Sequence, residues 1–139
     1  MKQPDTAVKL PRTLVNQLLH HAQQAEDKEV CGFISSRQDV PIHAYPVANI
    51  AVIPACRFAM DPAGQINALR LMRERGEELF AIYHSHPSSP AAPSLIDLEE
   101  AGYPEALYLI ISLNTKGVLE VRGFRLNGHD AKEVPLELG

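Results

Sequence analysis

The sequence predicts an α/β fold in which helices pack on a mixed β-sheet. Three observations carry that expectation. Apolar residues recur at three- and four-residue steps after Pro11, as an amphipathic helix requires. Two short apolar runs, LFAIY (79–83) and LYLIISL (107–113), read as buried strands. Taken along the chain, the predicted order is helix, strands, helix, strand, short helix, strands. The length of 139 residues is that of one domain, here 1–139, and no internal repeat or low-complexity tract divides it.

The first helix follows Pro11, with Leu14, Val15, Leu18, Leu19, Ala22 and Ala25 on its buried face and residues 26–28 closing it. Residues 29–35 (EVCGFIS) form a short apolar strand, and 36–39 a turn. Residues 40–52 read as extended, but Pro41 and Pro46 push that strand to a sheet edge or break it in two. Asp61-Pro62 starts the second helix with a capping side chain and a proline at its first position. Ile66, Leu69 and Met72 are its expected buried stripe, and Gly76 its stop. Strand 79–83 runs straight into His84-Ser85-His86-Pro87. A Ser/Pro/Ala loop leads to a short helix over 94–101. Strand 107–113, a turn at 114–117, the alternating strand 118–126, an Asn127-Gly128 turn and a last strand over 134–138 complete the chain.

Composition excludes several classes. Apolar residues at 45% and charged residues at 22% are ordinary for a globular protein, which argues against a largely disordered chain. Two cysteines, Cys31 and Cys56, do not make a disulfide scaffold. A formal charge of −4 without a basic block gives no footprint for nucleic acid. No apolar run reaches the ~20 residues of a membrane helix, and the start MKQPDTAVKLP lacks a signal-peptide core. The cytoplasm is the expected compartment.

The chemistry concentrates in HSHPSSPAAPSLID, residues 84–97. Residues i and i+2 of a strand face the same side, so His84 and His86 present two imidazoles together. Pro87 turns the chain, and the loop brings Asp97 back on the first turn of the next helix. Two imidazoles and a carboxylate make a three-ligand set, which leaves a tetrahedral ion one open position for water. Blander readings stand beside this one. A His-x-His pair also arises by chance, Ser94-x-x-Asp97 also fits a helix capping box, and Glu29 alone would be a solvated residue at a strand start.

The run His84-x-His86-Pro87-x(6)-Ser94-x-x-Asp97 resembles the signature of the JAMM (MPN+, Mov34/PAD-1) metallopeptidases. Glu29, ahead of Cys31-Gly32, stands where that family carries a glutamate on its first strand, and Asn49 where it carries an asparagine. The resemblance covers essentially the whole chain and implies a single-domain JAMM/MPN fold, which is cytidine-deaminase-like. It implies zinc on His84, His86 and Asp97, Glu29 as general base, and Ser94 as hydrogen-bond donor to the oxyanion. No position departs from the signature.

By this resemblance the chain is a zinc metallopeptidase or isopeptidase of the short prokaryotic type. The expected substrate is the C-terminal Gly-Gly tail of a ubiquitin-like or sulfur-carrier protein, or a peptide. Peptidases of cell-wall or phage-tail type are the alternative, and a non-catalytic MPN binding module the second. A homodimer stays open. An extended substrate tail is expected to add as a strand at a sheet edge beside the site.

The remaining candidates get structural readings. Cys31, two positions after Glu29, reads as a buried structural thiol near the site, with a zinc ligand as the alternative, and Cys56 is unassigned. His20 and His21 suit the last turn of a helix. His43 and His129 are isolated. Arg70, Arg73 and Arg75 with Glu74, Glu77 and Glu78 form a solvated helix face.

Overall fold

The computed structural model describes residues 7–94, 97, 103, 106–113, 120–127 and 130–139. The elements are β1 (Val8–Leu10), α1 (Arg12–Gln23), β2 (Cys31–Arg37), β3 (Val40–Val47), α2 (Pro62–Glu74), β4 (Glu78–His86), β5 (Leu107–Ser112), β6 (Glu120–Asn127), β7 (Asp130–Val134) and β8 (Leu136–Leu138). Six strands form one mixed sheet in the order β3-β2-β4-β5-β6-β7. Within that sheet, β4 and β5 pair in parallel and the other described neighbours are antiparallel. β1 and β8 pair in parallel as a separate two-stranded sheet. No helix among the described residues is long and apolar enough to cross a membrane.

The pleat of β4 and β5 sorts the core into two halves. Ala81, Tyr83, Leu107, Leu109 and Ile111 pack with Leu14, Val15, Leu18 and Ala22 of α1. Ile82, Tyr108 and Ile110 pack with Ala68 and Met72 of α2. Continuing the alternation along β4, His84 and His86 fall on the α2 face and Ser85 on the α1 face. The sheet is therefore flanked by a helix on each side, as the sequence predicts.

Boundaries differ where backbone groups are taken elsewhere. The strand expected over 29–35 pairs over 31–37 instead, because Glu29 and Val30 bond to Pro54, Asn49 and Ser85 rather than to a ladder. Gln38 and Asp39, with φ of 53° and 65°, make the two-residue turn of the β2–β3 hairpin. β3 ends at Val47 and is an edge strand, where its two prolines cost no ladder bond on the open side. The strand expected over 134–138 is split at Pro135, which has no N–H to continue a ladder. Leu136–Leu138 pairs with β1, an element the short VKL run does not advertise.

α2 begins as expected, with Asp61 Oδ2 accepting the Gly64 N–H at 3.3 Å and Pro62 in the first turn. Gly76 stops it at φ 69°. Its buried face, however, is Ala68 and Met72, and Ile66 is 68% exposed. Small residues let the helix approach the sheet at Gly64 and Ala68, and Ile66 sits two positions away, on the far side. Of the helix expected over 94–101, Asp97 is helical and the residues beyond it lie outside the described ones. So do the turn at 114–117, Gly128 and His129.

Gly32 has no room for a side chain. A Cβ there would lie 2.5 Å from the Tyr45 carbonyl oxygen and 2.7 Å from the Tyr83 hydroxyl. Gly32→Ala is expected to destabilise the fold by about 1–3 kcal/mol, the range for overpacking. A urea midpoint equal to wild type would contradict it.

The helix-face reading of Glu77 and Arg75 is corrected. The Glu77 side chain is 1% exposed and accepts the Tyr45 O–H at 2.6 Å. Arg37 lies 3.6 Å and His43 3.7 Å from its other oxygen, so His43 is not isolated. Arg75 donates to the Tyr45 hydroxyl at 3.0 Å. The glycine turn at Gly76 carries Glu77 off the helix face and under β3. Burial pushes the Glu77 carboxyl up, but the Tyr45 hydroxyl and the His43 and Arg37 charges outweigh it and hold it below the ordinary range. A carboxyl depressed in the folded state contributes stability above its unfolded pKa, about 4.3, and loses it as pH falls through the folded value. Glu77→Gln should therefore flatten the loss of stability between neutral and strongly acid pH, read as urea midpoints. An unchanged acid slope would rule out this role.

Candidate metal centre

The end of β4 carries the site. His84 and His86 leave the sheet on one face, and the chain returns at Asp97. His84 Nε2 and His86 Nε2 are 3.1 Å apart, and Asp97 Oδ2 lies 3.2 Å from the first and 3.1 Å from the second. This triangle is close to the edge of about 3.3 Å that a tetrahedral ion needs with ligands ~2.0–2.1 Å away. Glu29 completes the group, with one ligand atom from each of the four residues within 4.8 Å of the others, all buried. Cys31 and His84 are cross-strand partners, so Glu29, two residues before Cys31, comes to the same side.

The surroundings prepare these atoms for a cation. His86 Nδ1 is 2.8 Å from the Pro90 carbonyl oxygen, so it carries the proton and leaves the Nε2 lone pair facing the triangle. Phe58 stacks on the His84 ring at 4.5 Å and 24°. Glu29 Oε1 is buried with no hydrogen-bond partner among the described residues. An orphaned carboxylate oxygen beside three converging donor atoms fits a site completed by an ion and water.

Protonation follows burial and pairing. Burial pushes the Glu29 carboxyl up to about 7, with His86 pulling down and Asp97 pushing up. Burial lowers His84 below the ordinary imidazole range, against the Asp97 bond. Burial also works to lower His86, but Asp97, the Pro90 carbonyl and Glu29 outweigh it and raise it. Burial would raise Asp97, yet its bonds to both histidines and to the Ser94 N–H hold it far below the carboxylate range.

Ser94 is tied to Asp97 in both directions. Its N–H donates to Asp97 Oδ2 at 2.9 Å, and its Oγ accepts the Asp97 N–H at 3.1 Å. This reciprocal pair is the capping arrangement that the sequence allows, and it also fixes the Asp97 carboxylate beside the two imidazoles. The hydroxyl proton of Ser94 is left for another acceptor.

The other candidates sit elsewhere. Cys31 is buried, its thiol 3.4 Å from the Val47 carbonyl oxygen, and burial pushes it up to about 12. His21 bonds the Tyr83 hydroxyl at 2.8 Å, and His20 bonds Gln24. Cys56 is exposed. Phe58 and the Pro90 carbonyl are parts of the site that no motif points to, since both act through tertiary contact.

A mixed sheet that delivers two imidazoles, an aspartate and a glutamate with one oxygen unpartnered among the described residues to one buried point is the framework of a metal-dependent hydrolase. Residues 11–126 match the model for prokaryotic homologues of the JAB domain. The chain belongs to that family and is a JAMM/MPN-type hydrolase. It is 34% identical over 101 residues to the desampylase of Haloferax volcanii, covering 68% of this chain and 73% of that one. It is 29% identical over 127 residues to the CysO-cysteine peptidase of Mycobacterium tuberculosis, covering 90% and 86%. The solution structure of a Desulfitobacterium hafniense protein superposes with a TM-score of 0.84 at 32% identity, over 94% and 92% of the two chains.

Proposed function

We propose that this chain is a zinc peptidase that hydrolyses the amide bond following the Gly-Gly tail of a ubiquitin-like or sulfur-carrier protein. The observation that carries the chemistry is the 3.1–3.2 Å triangle of His84, His86 and Asp97 beside the buried Glu29. The substrate class rests on the relatives, one of which is a desampylase and another a peptidase of CysO-cysteine.

His84, His86 and Asp97 would hold a zinc ion, which would supply Lewis-acid polarisation of the scissile carbonyl and lower the pKa of a water to near 7. Glu29 is the base that takes the proton of the attacking water and returns it to the leaving nitrogen. Its buried carboxyl stands beside the ligand triangle, within reach of a water there, so one group can serve both transfers. Ser94 donates a hydrogen bond from its hydroxyl to the carbonyl oxygen as charge develops there, while the Asp97 N–H holds the serine Oγ in place. Both cysteines are free thiols, which supports the cytoplasm as compartment. The converged ligand set disfavours a non-catalytic binding module.

The test is direct. The zinc-loaded protein is incubated with a carrier extended by one cysteine past Gly-Gly, and with a carrier joined to lysine, and the products are weighed by mass spectrometry. Cleavage after the second glycine is expected. Intact carrier in both reactions would reject the substrate class, and the cell-wall-peptide alternative would then be tried on muropeptides.

A further inference from the structure

Glu29 and Val30 precede β2 and take no part in its ladders, yet every backbone polar atom of the pair is held. The Glu29 N–H donates to the Pro54 carbonyl at 2.7 Å, and the Val30 N–H to Ser85 Oγ at 2.9 Å. The Val30 carbonyl accepts the Ser85 N–H at 3.0 Å. The Glu29 carbonyl accepts from Asn49 Nδ2 at 2.8 Å. That last bond comes from a side chain with every role filled. Asn49 Nδ2 also donates to the Arg57 carbonyl at 3.1 Å, and Oδ1 accepts the N–H of Ala51 at 3.0 Å and of Ala59 at 2.9 Å. One amide thus joins the Glu29 main chain to both ends of the segment 51–59. That segment carries Phe58, whose ring lies on His84.

We infer that Asn49 is a positioning residue for the reaction: its amide holds the Glu29 main chain and the Phe58 segment in one frame, fixing the distance between base and imidazole. The inference rests on Glu29 being the base. Only an amide serves here, because the site asks for two donors toward carbonyls and two acceptances from N–H groups. Aspartate has the same shape but would face two carbonyl oxygens with no proton to give. Serine is too short to span four partners. A displacement of about 1 Å at a reacting group costs on the order of 10²-fold in rate.

The experiment places Asn49→Ala and Asn49→Asp in the wild-type chain and in Glu29→Gln, each loaded with zinc and assayed on the cysteine-extended carrier. In the wild-type chain both substitutions should lower kcat by roughly 10–100-fold, with KM and zinc content little changed. In Glu29→Gln, Asn49→Ala should alter the residual rate by less than about twofold, since residues acting as a unit are not additive. A wild-type kcat in the Asn49 variants overturns the inference. So does an equal loss in both backgrounds, which would mark Asn49 as a support for the loop alone, and so does loss of the fold in both variants. Failure of the underlying reading shows separately, as a Glu29→Gln single variant that turns over at the wild-type rate.

Discussion

Glu29→Gln should turn over its substrate roughly 10²–10⁴-fold more slowly than wild type, the usual contribution of a general base. Zinc content should be unchanged. The substitution keeps volume and shape, so the packing around a residue only 4% exposed is preserved. What changes is the ability of one buried oxygen to take a proton. That oxygen has no partner among the described residues, so no structural bond is lost with it. Metal content makes the result decisive. If Glu29 were a fourth ligand, the site would be closed and structural, and Glu29→Gln would lose zinc along with activity. If Glu29 is the base, zinc stays and turnover goes. A variant that keeps both zinc and the wild-type rate removes the assignment altogether.

The cluster was legible in the sequence because three of its members are close in the chain. His84 and His86 share a strand, so the period of two decides their common face without any tertiary knowledge. Asp97 follows within one loop, and Glu29 is brought to them by the pairing of Cys31, two residues on, with His84. Less local contributions stayed hidden. Phe58 covers His84 from a segment with no periodic pattern, and the Pro90 carbonyl that orients His86 is a backbone group that any residue could supply. Glu77 reads as one more acidic residue near a helix end, yet Gly76 turns it inward to Tyr45. Ile66 fits a three-residue stripe, but the small side chains of Gly64 and Ala68 decide which face touches the sheet. The strands β1 and β8 depend on each other across almost the full length of the chain, and neither has a pattern strong enough to declare itself. Local period and capping are written in short windows; burial and long-range pairing are settled by competition among many windows.

Removing a ligand should abolish both metal binding and activity. Wild type is expected to hold about one zinc per chain, and His84→Ala and Asp97→Asn almost none. Activity should fall to background in both, a larger loss than for Glu29→Gln, because base and oxyanion donor then have no activated water to act on. The two variants differ in what they disturb. His84→Ala removes a ring that stacks on Phe58 and opens a cavity, so some destabilisation accompanies it. Asp97→Asn keeps the shape and an oxygen for the Ser94 N–H while deleting the charge between the imidazoles. A chelator provides the control for stability. Zinc at 1,000 times its Kd stabilises the folded chain by about 4 kcal/mol, so EDTA should lower the Tm of wild type and zinc should restore it. In either variant EDTA should leave Tm where it is. If Asp97→Asn retained stoichiometric zinc and an EDTA-sensitive Tm, the aspartate would not be a ligand. The triangle of 3.1–3.2 Å contacts would then be only a hydrogen-bonded cluster of two histidines and an acid.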